Sequence, residues 1–93
     1  MRTDINKPVT AFILASFTYR EKGKQLSQKD IVKQISKFPE VSEAHIISGN
    51  WDILIKVKME NVDRVGRFVI DKLRKVKGIE KTITCMVFHT AKE

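Results

Sequence analysis

The segment Val9 to Tyr19 (VTAFILASFTY) carries apolar residues on both alternating sets of positions, and no other stretch limits the fold as tightly. Val9, Ala11, Ile13, Ala15, Phe17 and Tyr19 share one parity. Phe12 and Leu14 share the other. Its β-branched and aromatic content favours a strand. A strand that is apolar on both sides needs cover on both sides. This segment therefore belongs inside a sheet.

The rest of the chain supplies the neighbours. Arg20 to Gln25 (REKGKQ) reads as a polar loop. Ser27 is a capping residue and Asp30 favours the positive end of a helix. Ile31, Val32, Ile35 and Phe38 then follow helical spacing, with Lys29, Lys33 and Lys37 facing water, until Pro39 ends the run. Val41 to Ile47 and Asp52 to Met59 read as two strands joined at Gly49-Asn50, a hairpin signal. A turn centred there makes Ile46 face Ile53, Ala44 face Ile55 and Glu43 face Lys56. Ala44, Ile46, Ile53, Ile55 and Val57 then share one face. Glu43, His45, Ile47, Asp52, Leu54, Lys56 and Lys58 share the other. One register satisfies both the apolar set and a charge pair. Asn61 to Val76 is expected as the second helix, capped by Asn61 and stopped by Gly78. Its stripe is Val62, Val65, Phe68, Val69, Leu73 and Val76. Ile79 to Ala91 is expected as the last strand.

The order β-α-β-β-α-β predicts an α+β, ferredoxin-like domain: a four-stranded antiparallel sheet with both helices on one face. The chain has 93 residues, enough for one domain, 1–93, with its core at about 9–90. The second apolar parity of Val9–Tyr19, together with Ile47, Leu54 and part of Ile79–Ala91, leaves the open sheet face apolar. That predicts at least a homodimer.

Absences narrow the chemistry. The longest uncharged stretch, Pro8 to Tyr19, is too short to span a bilayer. The N-terminus MRTDINKPVT has no signal-peptide pattern. Cys85 is the single cysteine, which fits a reduced, cytoplasmic setting, and its apolar neighbours predict an inert buried thiol. His45 and His89 have no ligand partner at metal spacing. No P-loop, dinucleotide fingerprint or nucleophile elbow occurs. The expectation is a binding protein without metal or cofactor, not an enzyme. The strand order is shared with the RNA-recognition motif, but DILIKVKM lacks the stacking aromatics that module uses. A net charge of +7 keeps a basic nucleic-acid-binding module as an alternative. A ligand-free structural subunit is another.

Ser48-Gly49-Asn50-Trp51-Asp52 admits two readings. It is a plain hairpin, with Trp51 covering a sheet edge and Asp52 starting a strand. Or it is a ligand loop, in which Gly49 lets backbone approach a ligand, Trp51 supplies an apolar wall and Asp52 accepts from an ammonium group.

The stretch VSEAHIISGNWDILIKV resembles the strand–turn–strand of the leucine-responsive/asparagine-regulator (Lrp/AsnC) effector domain, also called the regulation of amino acid metabolism domain. There Gly, two variable residues and Asp sit at the hairpin. MENVDRVGRFVIDKLRKVKGIEKT resembles that family's second helix and its Gly-Ile/Val entry to the last strand, and AFILASF its first strand. The resemblance covers about Val9 to Thr90. It implies an amino-acid-sensing, transcription-regulator-like protein that forms dimers through its sheets and assembles further into octamers or decamers. It implies a small amino acid bound between dimers by Gly49, Asp52, Thr82 and Thr84, with Asn50 and Trp51 beside them. In that arrangement Asp52 meets the ligand's amino group, and the threonines and backbone N–H groups meet its carboxylate or side chain. Family members also carry an N-terminal helix-turn-helix, for which eight residues before the first strand are too few. The resemblance is therefore to the stand-alone form, with no direct specific DNA binding and with a full-length Lrp/AsnC regulator as an expected partner.

Overall fold

The computed structural model describes residues 8–21 and 23–93; the expectation for the first seven residues lies outside them. The main elements are β1 (Val9–Phe17), α1 (Gln28–Ser36), β2 (Val41–Ile46), β3 (Ile53–Met59), α2 (Val62–Asp71) and β4 (Ile79–Met86). They form one antiparallel sheet in the order β2-β3-β1-β4, so β1 has a neighbour on each edge. The ferredoxin-like expectation holds.

One parity of β1 is the floor of the core. Ala11, Ile13, Ala15 and Phe17 are buried with Ile53, Ile55, Val57 and Met59 of β3. Ile31 and Ile35 of α1 and Val65, Phe68, Val69, Leu73 and Val76 of α2 and the turn after it pack over them in the same core. Each fully buried aliphatic side chain stabilises the fold by about 1.5–3 kcal/mol. Both helices start where their caps stand. The Ser27 hydroxyl accepts from the Asp30 N–H, and the Asn61 side chain accepts from the Arg64 N–H.

The hairpin register is as expected: Glu43 faces Lys56, Ala44 faces Ile55 and Ile46 faces Ile53. Gly49 has φ +109°, the backbone freedom this turn uses. Lys56 Nζ lies 3.6 Å from Glu43 Oε2.

Several boundaries differ from expectation. β1 ends at Phe17, and Tyr19 leaves the sheet to stack edge-on against the Phe17 ring at 4.9 Å. The Arg20–Gln25 loop holds a two-residue ribbon, Arg20–Glu21 against Lys24–Gln25. α2 stops at Asp71, and the chain then tightens into a 3-10 turn, Leu73–Lys75, that still delivers Leu73 and Val76 to the core. Val62, placed on the buried stripe by spacing, is exposed instead. As the first residue of α2 it stands clear of the core that Val65 enters. β4 ends at Met86 rather than Ala91, and Phe88 is almost wholly exposed.

The open face carries two rows across the sheet. His45, Leu54, Leu14 and Ile83 form one, and Glu43, Lys56, Phe12 and Cys85 the other. Helices cover only the opposite parity, so Ile83 and Cys85 are exposed, and Cys85 is not the buried thiol its neighbours suggested.

Two glycines contrast. Gly78 has φ +98°, and a Cβ there would stand 2.7 Å from Phe17 Cε1 and 3.2 Å from Leu26 Cδ1. Gly66 lies exposed within α2, and a Cβ there would meet nothing within 4 Å. Glycine inside a helix costs about 1 kcal/mol relative to alanine, and nothing within the described residues accounts for it at Gly66. Gly78→Ala should destabilise the fold by about 2–4 kcal/mol, combining left-handed strain with overlap on Phe17. Urea denaturation measures this, and a midpoint equal to wild type would contradict the packing described.

Candidate functional site

Residues of all four strands converge where β1 ends. The first ladder rung of β3 is made by Asp52, the residue after the hairpin turn. Its N–H donates to the Ala15 carbonyl at 3.0 Å, and its carbonyl accepts from the Ile47 N–H at 2.9 Å. Its carboxylate Oδ2 accepts from the Phe17 N–H at 2.9 Å. One residue thus ties β1 to both arms of the hairpin. Oδ1 has no hydrogen-bond partner among the described residues.

The other edge of β1 shows a parallel device. The register with β4 slips between Ala15 and Phe17. There the Ser16 hydroxyl accepts from the Lys81 N–H at 3.0 Å. At this end of the strand, side-chain oxygens replace carbonyls on both edges. The sequence reading passed over Ser16. Its signal was a lone hydroxyl in an otherwise apolar run.

Thr82 pairs with Ala15 and Thr84 with Ile13. Both threonines therefore share the helix-side parity. Asp52 precedes Ile53, whose side chain is on that side, so Asp52 starts from the opposite parity. Asp52 and Thr82 flank the same end of β1, while Thr84 lies one same-face position further in. Gly49 and Asn50 form the exposed tip of the hairpin, and Trp51 and Asp52 are half-buried at its base. The fold gathers Trp51, Asp52 and Thr82 at one end of the sheet, with Gly49 and Asn50 beyond it. It does not close a pocket around them.

Two grooves lie elsewhere. The larger, about 630 Å³, is lined by Pro39, Glu40, Lys58, Asn61, Arg64 and Phe68, among others, at the far end of β3. The smaller, about 430 Å³, runs between α1 and β2. None of Gly49, Asn50, Trp51, Asp52, Thr82 or Thr84 lines either one. In the larger groove, burial pushes the Glu40 carboxyl up. Its 2.7 Å hydrogen bond from Lys72, a backbone hydrogen bond and the Lys72 charge together offset this, and the group lies below the usual glutamate value. On the open face, Glu43 is also held low, first by its hydrogen bond with His45 and also by Lys56. No group of histidine, cysteine and carboxylate side chains among the described residues is placed to hold a metal ion. No helix there is long and apolar enough to cross a membrane.

Residues 10–93 match the family model described as the Lrp/AsnC ligand binding domain. A helix-turn-helix-type transcriptional regulator of Pyrococcus abyssi is 45% identical over 96% of this chain. The alignment spans 57% of that regulator's length. The crystal structure of FFRP-DM1 is 30% identical with a TM-score of 0.72, covering 86% of this chain and 99% of that one. A transcriptional regulator of Neisseria meningitidis, solved as a complex with L-Met, shares the fold. Its TM-score is 0.80 at 21% identity, over 100% of this chain and 59% of that one.

The bond from Phe17 to Asp52 predicts different outcomes for two substitutions. Asp52→Ala should cost about 1–3 kcal/mol by leaving the Phe17 N–H unpaired. Asp52→Asn keeps an acceptor oxygen and should stay within about 1 kcal/mol of wild type. Thermal unfolding separates them, and equal midpoints for both variants would count against the tie.

Proposed function

The chain belongs to the Lrp/AsnC ligand-binding domain family, and from that premise we propose that it is an amino-acid-sensing oligomer of the cytoplasm that acts on transcription. It senses through binding, not catalysis. Its minimum unit is a dimer closed through the open sheet face. Higher assembly brings the hairpin end of one dimer against another and completes a site for a small amino acid. A full-length Lrp/AsnC regulator is the natural partner for mixed assembly.

The observation that carries this reading is the unfinished end of the sheet. Asp52 has one oxygen committed to the fold and one without a protein partner among the described residues, beside Trp51 and Thr82. A half-built polar site without walls is what a ligand pocket shared between chains leaves on each of them. An ammonium group on Oδ1 would make a charge-assisted hydrogen bond worth about 1.5–3 kcal/mol. The related fold from Neisseria meningitidis was solved with L-Met, which makes amino acids the first ligand class to test.

Trp51 is the single tryptophan, so its fluorescence reports on the site directly. Titration with the twenty amino acids should give a saturable change for at least one. Asp52→Asn, which keeps the fold, should bind that ligand roughly ten- to a hundredfold more weakly, since about 1.4 kcal/mol is tenfold. Equal affinity in the variant removes Asp52 from the site. No fluorescence or calorimetric response at millimolar ligand would favour a ligand-free structural subunit.

The dimer has its own test. Leu14 sits mid-strand on the open face between Leu54 and Ile83. Leu14→Glu should remove the sheet-paired dimer, as read by light scattering. A wild type that is monomeric at 10.7 kDa in the micromolar range would remove the sheet-to-sheet model.

A further inference from the structure

Of the two outer strands of the sheet, β2 stands beside a groove. It pairs with β3 on its inner side and with no described strand on its outer side. The Ile47 N–H donates inward, to the Asp52 carbonyl. Backbone direction alternates along an antiparallel strand, so the N–H and C=O groups of Ala44 and Ile46 turn outward. No described residue hydrogen-bonds to them there. Their side chains share the helix-side parity with Ile55 and Ile53. Ile53 is fully buried, yet Ile46 is 44% exposed, because no described strand lies beyond it.

The groove fills the angle between that edge and α1. Lys29, Val32 and Lys33 line its helix wall, and Ala44 and Ile46 its strand wall. No carboxylate among the described residues lines it. Lys29 and Lys33 form no ion pair among the described residues either. An open ladder, apolar side chains and two unpaired cations thus face one space. Their spacings agree. Lys29 and Lys33 are four residues apart on a helix, about 6 Å along its axis. Alternate residues of a strand, which point to one side, are about 6.6–6.8 Å apart. A strand added at the β2 edge therefore presents alternate side chains at nearly the step of the two lysines. Carboxylates there meet both ammonium groups, and an apolar residue in the same alternation meets Val32 and Ile46.

We propose that the β2 edge and its groove bind an extended acidic segment of another protein, which joins the sheet as an added strand. The ladder supplies affinity, and the alternate side chains supply specificity. A phosphate backbone would answer the lysines but has no use for the open ladder or for Val32 and Ile46, so the occupant is a peptide. Sheets that close face to face keep their edges open, so the surface persists in the proposed dimer.

The test uses the full chain and a short capped peptide that alternates glutamate with threonine, one glutamate being replaced by isoleucine. Calorimetry should show saturable binding, and amide hydrogen exchange over Val41–Ile46 should slow. Reversing both charges, Lys29→Glu with Lys33→Glu, should weaken binding roughly tenfold or more, since two attractions become two repulsions. The reversed chain should instead take the same peptide with lysine in place of glutamate. Both lysines are exposed, so circular dichroism should not change. N-methylating the peptide amides that face β2 should abolish binding, which separates a ladder from charge attraction alone. The proposal is overturned if the peptide does not bind at millimolar concentration, if the charge-reversed chain binds it equally well, or if exchange over β2 is unchanged on binding. An oligonucleotide that binds where the peptide fails would overturn it in favour of nucleic acid. A β2 edge already protected without peptide, and closed to it, would overturn it in favour of a second copy of this chain.

Discussion

Everything in this fold answers to the demand of β1 for cover on two faces and partners on two edges. The helices satisfy one face, through Ala11, Ile13, Ala15 and Phe17. β3 and β4 satisfy the edges. The remaining face, Phe12 and Leu14 with Leu54, Ile83 and Cys85 in register beside them, is covered by no element among the described residues. Burying apolar area at about 25 cal/mol per Å² is a strong incentive for a second sheet to close over it. That open face is the ground for the proposed dimer.

The periodic parts of this arrangement were legible in the sequence. A Gly-Asn turn between two alternating runs admits one register that keeps Ile53 and Ile55 inward, and Glu43 opposite Lys56 falls out of it. Ser27 and Asn61 marked the helix starts because side-chain caps act locally. Tertiary effects were not legible. Val62 has the right spacing for the core stripe, but it stands at the first turn of α2, where the helix has not yet reached the sheet. The runs at Tyr19 and Phe88 look like strand, yet neither has a ladder partner there, and a strand ends where pairing ends. Cys85 looked buried from its neighbours because alternation names the parity of a residue, not whether that side has a cover.

The candidate site was half legible. The hairpin named Asp52, but sequence spacing could not show that its carboxylate also serves the backbone, accepting from the Phe17 N–H. Nor could it show that Ser16 does the matching task on the opposite edge. The Ser16 bond accompanies a register slip at Ala15–Phe17 between β1 and β4, which is a property of two strands together. Asp52 therefore has two potential duties on one side chain. Asparagine offers an oxygen for the structural one, while the proposed contact with an ammonium group calls for a charge.

The pairing of β1 also governs the order of events as the chain folds. β1 comes before the other described strands in the chain, so Val9 waits for Met59 and Ala11 waits for Met86 before its edges close. Contacts so distant in sequence slow folding, and loop closure comes before they can form. Meanwhile VTAFILASF is a nine-residue strand with no charge in it, the composition that pairs readily with copies of itself. The polar REKGKQ segment and the lysines of α1, which follow it at once, are the nearest charges available to hold such encounters apart. At high expression, the same strand that organises the native sheet is the segment through which nascent chains would aggregate.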